Sequence, residues 1–189
     1  LSPTNGAPLN LLRALGAYDN TRWRLFRYFG GTYREFARED IGAFTPGRAF
    51  WLFSRIAGLN LASGPGQTTD LSASFEITLE PGWNDIAVPF AFGVAWDDIM
   101  RASGDPAGVA GPYAYDGGAW SFPQADDTIQ PWTGYAVNNA NNGFVVLQVP
   151  PLAANRAGKN LALQPDSKDG WTLRLKARGD HGDDSNNYI

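Results

Sequence analysis

The chain has 189 residues, of which 43% are hydrophobic and 18% charged, and its net charge is −4. This composition is typical of a globular protein. The acidic balance argues against a nucleic-acid partner, because neutralising phosphates requires a basic surface. The absence of cysteine excludes disulfides and thiolate metal sites. No apolar run reaches the roughly 18 residues that cross a bilayer as a helix, so membrane insertion is not expected.

The aromatic content is high, with seven Trp, seven Tyr and eleven Phe. Aromatic residues favour strands. The 22 glycines and 13 prolines are spread along the chain, which indicates many turns between short elements. The composition therefore predicts an all-β protein.

The first twenty residues predict one short helix. Leu9, Leu12 and Leu15 lie at helical spacing, and Gly16 is a suitable stop. Two aromatic-rich runs then flank Gly30-Gly31, which indicates a tight hairpin because glycines accept positive φ angles. The predicted strands of this part are 23–29, 32–37 and 48–54, with 56–61 as a further candidate.

The middle of the chain repeats this order. A helix is predicted within 89–104, with Trp96, Ile99 and Met100 on its apolar side. A second hairpin is predicted around Gly117-Gly118. The predicted strands are 71–79, 83–88, 113–116, 119–122, 133–139 and 142–149, followed by 159–163 and 170–177 near the end.

Superposing the two Gly-Gly turns aligns the surrounding residues. The aligned pairs are Phe26 with Tyr113, Tyr28 with Tyr115, Tyr33 with Trp120, Phe44 with Ile129, Pro46 with Pro131, and Phe50 with Tyr135. A recurrence of about 86 residues with matched turns, prolines and aromatics indicates a duplicated unit.

We therefore predict two pseudo-repeated antiparallel β units in a sandwich-like arrangement, each with one short helix. The first unit spans 1–66 and lacks a leading strand, and the second spans 67–151. Residues 152–189 are either closing strands or the start of a following domain. One continuous sandwich and two adjacent lobes both fit the pattern. Because residue 1 is not Met, we expect a piece of a longer protein.

Several motifs resemble a repeated β module of large secreted bacterial proteins. They are PGRAFWL, LEPGWNDIAVPF, WDDI, YAYDGGAW, PWTGYAV and GWTLRLKA, and the resemblance covers most of residues 20–178. Similar modules lie near the C-termini of multidomain surface proteins, often ahead of a type IX secretion sorting domain. The resemblance implies an extracellular or cell-surface location and flanking domains as partners. It carries no catalytic residues.

Residues with catalytic potential are few. The single histidine, His181, lies in a polar tail, so no triad or histidine metal cluster is predicted. Neither Asp97-Asp98 nor Asp126-Asp127 forms a glycosidase pair by itself, because neighbours in sequence point in different directions. Asp97 or Asp98 fits the first turn of the second helix. We predict no catalytic residues and no cofactor.

A calcium site in the tail is an open alternative. Asp180, Asp183, Asp184 and Asn186 supply closely spaced oxygen ligands. Their spacing does not follow the EF-hand pattern, and the segment has no glutamate that could bind the ion through both carboxylate oxygens. We therefore interpret the segment as a polar tail and predict no metal site.

Sugar binding is the remaining chemistry that the sequence offers. Exposed Trp rings stack on sugars, and Asn amides bond to hydroxyls. The candidate ligand-binding residues are Trp120, Trp132, Asn138 and Asn139. Trp132 aligns with Gly47, so the duplicated core does not require an aromatic there. The aromatics assigned to packing are Trp51, Trp83, Tyr113 and Tyr135.

The leading functional hypothesis is a non-catalytic extracellular module with a spacer, stabilising or adhesive role. The alternatives are a carbohydrate-binding module and a fragment of a glycosidase or esterase. The expected partners are flanking domains of the same polypeptide and a glycan or cell-surface component.

Overall fold

A computed structural model describes residues 2–3, 5–59, 61, 66–121, 127–154, 174–179 and 182–188. The chain divides into two compact units, Leu1–Asn155 and Arg156–Ile189. The predicted units 1–66 and 67–151 both lie within the first. The all-β prediction is confirmed, since antiparallel sheets dominate the described residues. Neither α-helix among them has the length and apolar character that crossing a membrane requires.

The helical elements are α1 (Pro8–Leu11), a 3-10 turn (Arg13–Leu15) and α2 (Trp96–Ala102). The strands are β1 (Ser2–Pro3), β2 (Trp23–Phe29), β3 (Thr32–Glu35), β4 (Trp51–Ser54), β5 (Gly66–Gln67), β6 (Phe75–Leu79), β7 (Gly82–Ala87), β8 (Val94–Ala95), β9 (Val109–Tyr115), β10 (Trp120–Ser121), β11 (Thr128–Ile129), β12 (Gly134–Asn139), β13 (Val145–Val149), β14 (Arg174–Gly179) and β15 (Gly182–Tyr188).

The first helix forms as predicted, but it is α-helical for only one turn and then continues as the 3-10 turn. Pro8 starts it, where a missing N–H costs nothing, and Gly16 ends the 3-10 turn at φ 75°. Because the two kinds of helix have different numbers of residues per turn, the three leucines do not share one face. Leu12 and Leu15 are buried while Leu9 remains half exposed.

The first sheet has the order β3-β2-β4. Alternate residues of β2, Trp23 and Leu25, point into a core with Leu12, Leu15 and Ile41. The hairpin register places Tyr28 opposite Tyr33, with Gly30 and Gly31 at positive φ in the turn.

The second sheet has the order β10-β9-β12-β7. A separate pair, β6 with β13, lies against α2 and contributes to the same core. The fully buried residues of this core are Leu79, Val94, Ile99, Ile129, Val137, Leu147 and Val149. This core is larger than the first because two sheets and a helix share it.

The two sheets share a strand order and a register. In both, a Gly-Gly hairpin is followed by a third strand that pairs with the first strand of the hairpin. Tyr28 opposes Tyr33 in one sheet, as Tyr115 opposes Trp120 in the other. Trp51 opposes Phe26 where Ala136 opposes Tyr113. These are the positions that the sequence alignment equates.

Several predicted strands differ from those of the described residues. The run 71–79 becomes a strand only at Phe75, because a turn with Ser72 bonded to Asp70 precedes it. Residues 56–59 and 61 are not strand, which corrects the prediction for 56–61. The prediction for 159–163 lies outside the described residues. That for 170–177 overlaps β14, which pairs antiparallel with β15 in the second unit.

Residues 47–54, here called the linking segment, connect the two sheets. The predicted strand 48–54 begins only at Trp51, because the preceding residues pair elsewhere. Arg48 forms an antiparallel bridge with Ile86 of β7, and Ala49 N–H donates to the Asp85 carbonyl at 3.3 Å. Trp51–Ser54 then pairs with β2. A Cβ on Gly47 would lie 2.9 Å from the Phe75 ring, so glycine permits this close approach.

A buried carboxylate stabilises the first sheet. Glu35 is 5% exposed and accepts hydrogen bonds from Arg24 Nε at 2.7 Å and from the Tyr18 hydroxyl at 2.6 Å. Arg38 lies 3.3 Å from its other oxygen. The Arg24 and Tyr18 hydrogen bonds lower the pKa of Glu35 to about 2.

We predict that Glu35→Gln lowers the free energy of unfolding at pH 7 by about 2 kcal/mol, because charge-assisted hydrogen bonds are lost. The folded-state pKa lies below the unfolded 4.5, so this stabilisation is full above pH 4.5 and disappears as pH falls towards 2. Urea denaturation at pH 7 and pH 3 measures it. Exposed Glu39→Gln is the control, and an equal loss in both variants would contradict the prediction.

An aromatic cleft between the two sheets

Each sheet turns its core residues to one face and aromatic residues to the other, as the period of two requires. On the first sheet, Tyr28 and Tyr33 lie on the face away from its core. On the second sheet, Trp83 and Asp85 alternate with buried Ile86. Cross-strand pairing places Asp85, Ala136 and Tyr113 in one row.

These two aromatic faces enclose a cavity of about 490 Å³, here called the aromatic cleft. Its lining residues are Tyr28, Tyr33, Trp83, Asp85, Tyr113, Trp120 and Ala136. Five are aromatic and one is a carboxylate. Ala136 is small where the equivalent position in the first sheet carries Trp51, and this leaves space at the floor of the cleft.

The aromatic rings that line the cleft pack against neighbouring rings in edge-to-face geometry. Tyr28 and Tyr33 lie 4.9 Å apart between centroids, and Trp83 and Tyr113 lie 5.5 Å apart, both edge-to-face. Trp120 lies 5.9 Å from Trp51 of the linking segment. Edge-to-face geometry is the favoured arrangement for aromatic pairs. These ring–ring contacts therefore fix the orientation of the lining side chains within the protein itself.

Asp85 is the single acidic group among the described residues that line the cleft. Its Oδ2 accepts a hydrogen bond from Trp51 Nε1 at 2.8 Å. Burial raises its pKa to about 6, and the Trp51 bond opposes this only in part. Burial, followed by the charge of Asp85, also raises the pKa of Tyr33. Asp85 forms no ion pair with any described residue.

Two neighbouring cavities adjoin Asp85. One of about 310 Å³ lies between Trp51, Trp120 and Tyr135. The other, of about 340 Å³, is polar and is lined in part by Arg27, Arg48, Glu76 and Glu80. Glu80 accepts from Gly30 N–H at 2.9 Å and Glu76 from Gln148 at 3.0 Å. Both glutamates therefore already have structural partners.

The structure separates the four candidate ligand-binding residues. Trp120 is 44% exposed and lines the aromatic cleft. Asn138 pairs with Trp83 on the same sheet face. Asn139 is fully buried, where its amide donates to the Gly143 carbonyl at 2.9 Å and accepts from Asn141. The Asn139 side chain is thus used inside the fold and does not reach a ligand in the cleft.

Trp132 lies apart from the cleft, at the rim of a cavity of about 370 Å³ near Phe44 and Phe50. It is 81% exposed, and its φ is 65°, in the left-handed region. Its aligned partner Gly47 has φ 80° at the same place in a proline turn. The turn geometry therefore favours glycine at both sites, and Trp132 carries backbone strain there.

Several residues that line the cleft were assigned to packing or not singled out from the sequence. Trp83 packs against the Tyr113 ring as predicted, but it is also 47% exposed and lines the cleft. Tyr113 and Trp51 have a dual use, because each packs against another ring and also borders one of the two cavities. Tyr135 does pack against the second core. The missed signal was the spacing of Trp83 and Asp85, which places both side chains on one face.

The remaining candidate acids have ordinary surroundings. Asp97 and Asp98 lie in the first turn of α2 as predicted, and Asp98 pairs with Arg101 at 3.0 Å. Asp126, Asp180 and His181 lie outside the described residues, and Asp183, Asp184 and Asn186 are in β15. Within the described part of the chain, no group of three or more acidic or histidine side chains could hold a metal ion.

Comparisons of the chain with protein-family models, curated proteins and solved structures found no match. The function of the aromatic cleft is therefore inferred from its own geometry.

We predict that Asp85→Asn raises the free energy of unfolding at pH 7 by roughly 2 kcal/mol. The folded protein holds the Asp85 proton up to about pH 6, whereas the unfolded chain releases it near 3.8. Wild-type stability should therefore fall as pH rises from about 4 to 6.5, and the variant should lack this fall. Asn keeps an acceptor for Trp51. Urea denaturation across this range measures the effect, and parallel curves for the two proteins would contradict it.

We predict that Trp132→Gly stabilises the fold by about 1 kcal/mol, because glycine accepts a positive φ without penalty. Trp132→Ala is the matched control, since it removes the exposed ring but keeps the strained backbone. Thermal unfolding compares the two. Equal stability of the Gly and Ala variants would show that the backbone at this turn stores no strain.

Proposed function

We propose that this chain is a non-catalytic β module that binds a ligand in the aromatic cleft. The observation that carries the proposal is the cleft itself, in which five aromatic rings and one partly buried carboxylate are the main lining groups among the described residues. Its volume lies in the range of small-molecule sites, and such sites combine apolar walls with few polar groups.

Exposure of these rings is difficult to explain by folding alone. Trp83 and Trp120 remain close to half exposed, although Ile86 on the same strand as Trp83 is buried. Large apolar surfaces facing solvent commonly mark binding sites. The edge-to-face contacts fix the rings, so a ligand would gain contact area at little cost in side-chain entropy.

We further propose that the cleft arises from duplication of a β unit. The shared strand order and the matched pairs Tyr28–Tyr33 and Tyr115–Trp120 support two copies of one structure. In this view the outer faces of the two copies meet at the cleft. The differences between the copies, such as Ala136 in place of Trp51, then provide the space for a ligand.

The arrangement of carboxylates supports a binding role over glycoside hydrolysis. Hydrolysis requires two carboxyl groups facing each other across the sugar, roughly 5–10 Å apart. Asp85 is the one carboxylate among the described residues that line the cleft. Glu76 and Glu80 line the adjoining polar cavity and bond to Gln148 and Gly30.

An extracellular setting within a multidomain protein rests on the sequence resemblance. The motif residues PGRAFWL form the linking segment and its preceding turn, and YAYDGGAW forms the second hairpin. The second motif supplies two lining residues of the cleft, Tyr113 and Trp120, and Trp51 of the first bonds to Asp85. Flanking domains of the same polypeptide remain the proposed partners.

Carbohydrate binding is the second candidate. The observation that favours it is the placement of Asn138 beside exposed Trp83, on the face that also carries Trp120. An aromatic platform next to an amide is suited to a sugar ring. Exposed Trp132 would belong to a different surface.

The proposal is tested by titrating the protein with soluble polysaccharides and small organic cations while recording tryptophan fluorescence. We predict that at least one probe shifts the emission, and that Trp120→Ala weakens its binding at least tenfold, as loss of a central aromatic contact does. Trp132→Ala should leave binding unchanged, because that ring lies outside the cleft.

Two outcomes would contradict the proposal. One is the absence of binding by any probe. The other is binding that Trp132→Ala abolishes and Trp120→Ala preserves, which would place the ligand on the surface around Trp132.

A further inference from the structure

We propose that the ligand of the aromatic cleft is a small organic cation of the quaternary ammonium type, held against the Tyr and Trp faces with Asp85 as its counter-charge. This inference rests on the proposed function, because it names the ligand class of the same site.

The first support is an uncompensated charge. Asp85 lies at the floor of the cleft, where the one side-chain hydrogen bond that it accepts from the described residues comes from neutral Trp51. Tyr28, Tyr33 and Tyr113 also line the cleft, and none of the three side chains is cationic. Arg27 and Arg48 line the adjoining polar cavity, and neither forms an ion pair with Asp85. Partial desolvation of a carboxylate without a cationic partner is unfavourable, so a cationic ligand has charge to neutralise.

The second support is the composition of the walls. Aromatic faces attract cations through their negative quadrupole, and Trp and Tyr do so most strongly. Five such rings surround the cavity, and no basic side chain is among its described lining residues. Aromatic cages of this kind recognise alkylated ammonium groups, whose methyl groups also give up little hydration on entry.

A neutral ligand fits the cleft less well. Filling the cleft with a neutral molecule would remove the remaining water from Asp85 without supplying an opposite charge. The aromatic rings would gain apolar contact in either case. Asp85 therefore favours a ligand with a positive charge, and the aromatic rings favour a ligand with an apolar surface.

The experiment compares choline with 3,3-dimethyl-1-butanol, which has the same shape but carries carbon in place of the charged nitrogen. Isothermal titration at pH 7.5 measures binding to the wild-type chain, to Asp85→Asn and to Asp97→Asn. The last variant removes an exposed acid in α2, outside the cleft. Urea denaturation of each variant confirms that it is folded.

We predict that wild-type protein binds choline at least tenfold more tightly than the neutral isostere. Asp85→Asn should remove this difference, because both ligands then meet a neutral floor. Asp97→Asn should keep it. A chloride salt of tetramethylammonium should compete with choline, since it carries the same cationic head group.

Equal affinity for choline and its isostere in the wild-type chain, or a preference for choline that survives Asp85→Asn, would overturn the inference. If choline fails to bind while a neutral glycan binds and Trp120→Ala abolishes that binding, the cleft remains a ligand site and only its cation selectivity is refuted. If nothing binds in the cleft, both proposals fail.

Discussion

The linking segment is the constraint on which the rest of the structure depends. Its first residues bond to β7 and its last to β2, so one short stretch of backbone belongs to both sheets. Between them, Trp51 reaches across to Asp85 with a 2.8 Å hydrogen bond. Gly47 allows the approach by leaving room for the Phe75 ring. These contacts bring the aromatic faces of the two sheets together, and the cleft is the space they leave.

This arrangement has an energetic cost, which the proposed binding site would explain. The fold would be more stable if the Asp85 carboxylate were fully hydrated and if the Trp83 ring were buried in a core. Both are instead kept at a partly enclosed surface. Proteins commonly tolerate desolvated charges and exposed rings where these groups meet a ligand. Glu35 shows the alternative, since the same chain pairs that buried carboxylate with two arginines and a tyrosine.

Much of the fold could be predicted from local patterns. Hairpins at Gly30-Gly31 and Gly117-Gly118, the short helices and most strands follow from spacing and turn chemistry. The start of the strand 48–54 was predicted wrongly because its first half pairs with a distant strand, which alternation cannot reveal.

The candidate site was harder to predict from the sequence, because it also depends on contacts between distant parts of the chain. Alternation shows that Trp83 and Asp85 share a face, but only the docking of the sheets shows what that face meets. Trp120, Asn138 and Asn139 were all candidates by residue type alone, which does not show that Trp120 lines the cleft while Asn139 points into the core.

The most direct test is a carboxyl ¹³C NMR titration of Asp85 in the free protein, with Asp85→Asn used to assign the resonance. We predict a pKa of about 6, because the carboxylate is desolvated at the floor of the cleft with only Trp51 as its partner. An ordinary value near 4 would contradict this. Asp85 would then be hydrated or paired with a cation of the chain, and the cleft would lack the unmet charge on which its proposed selectivity depends.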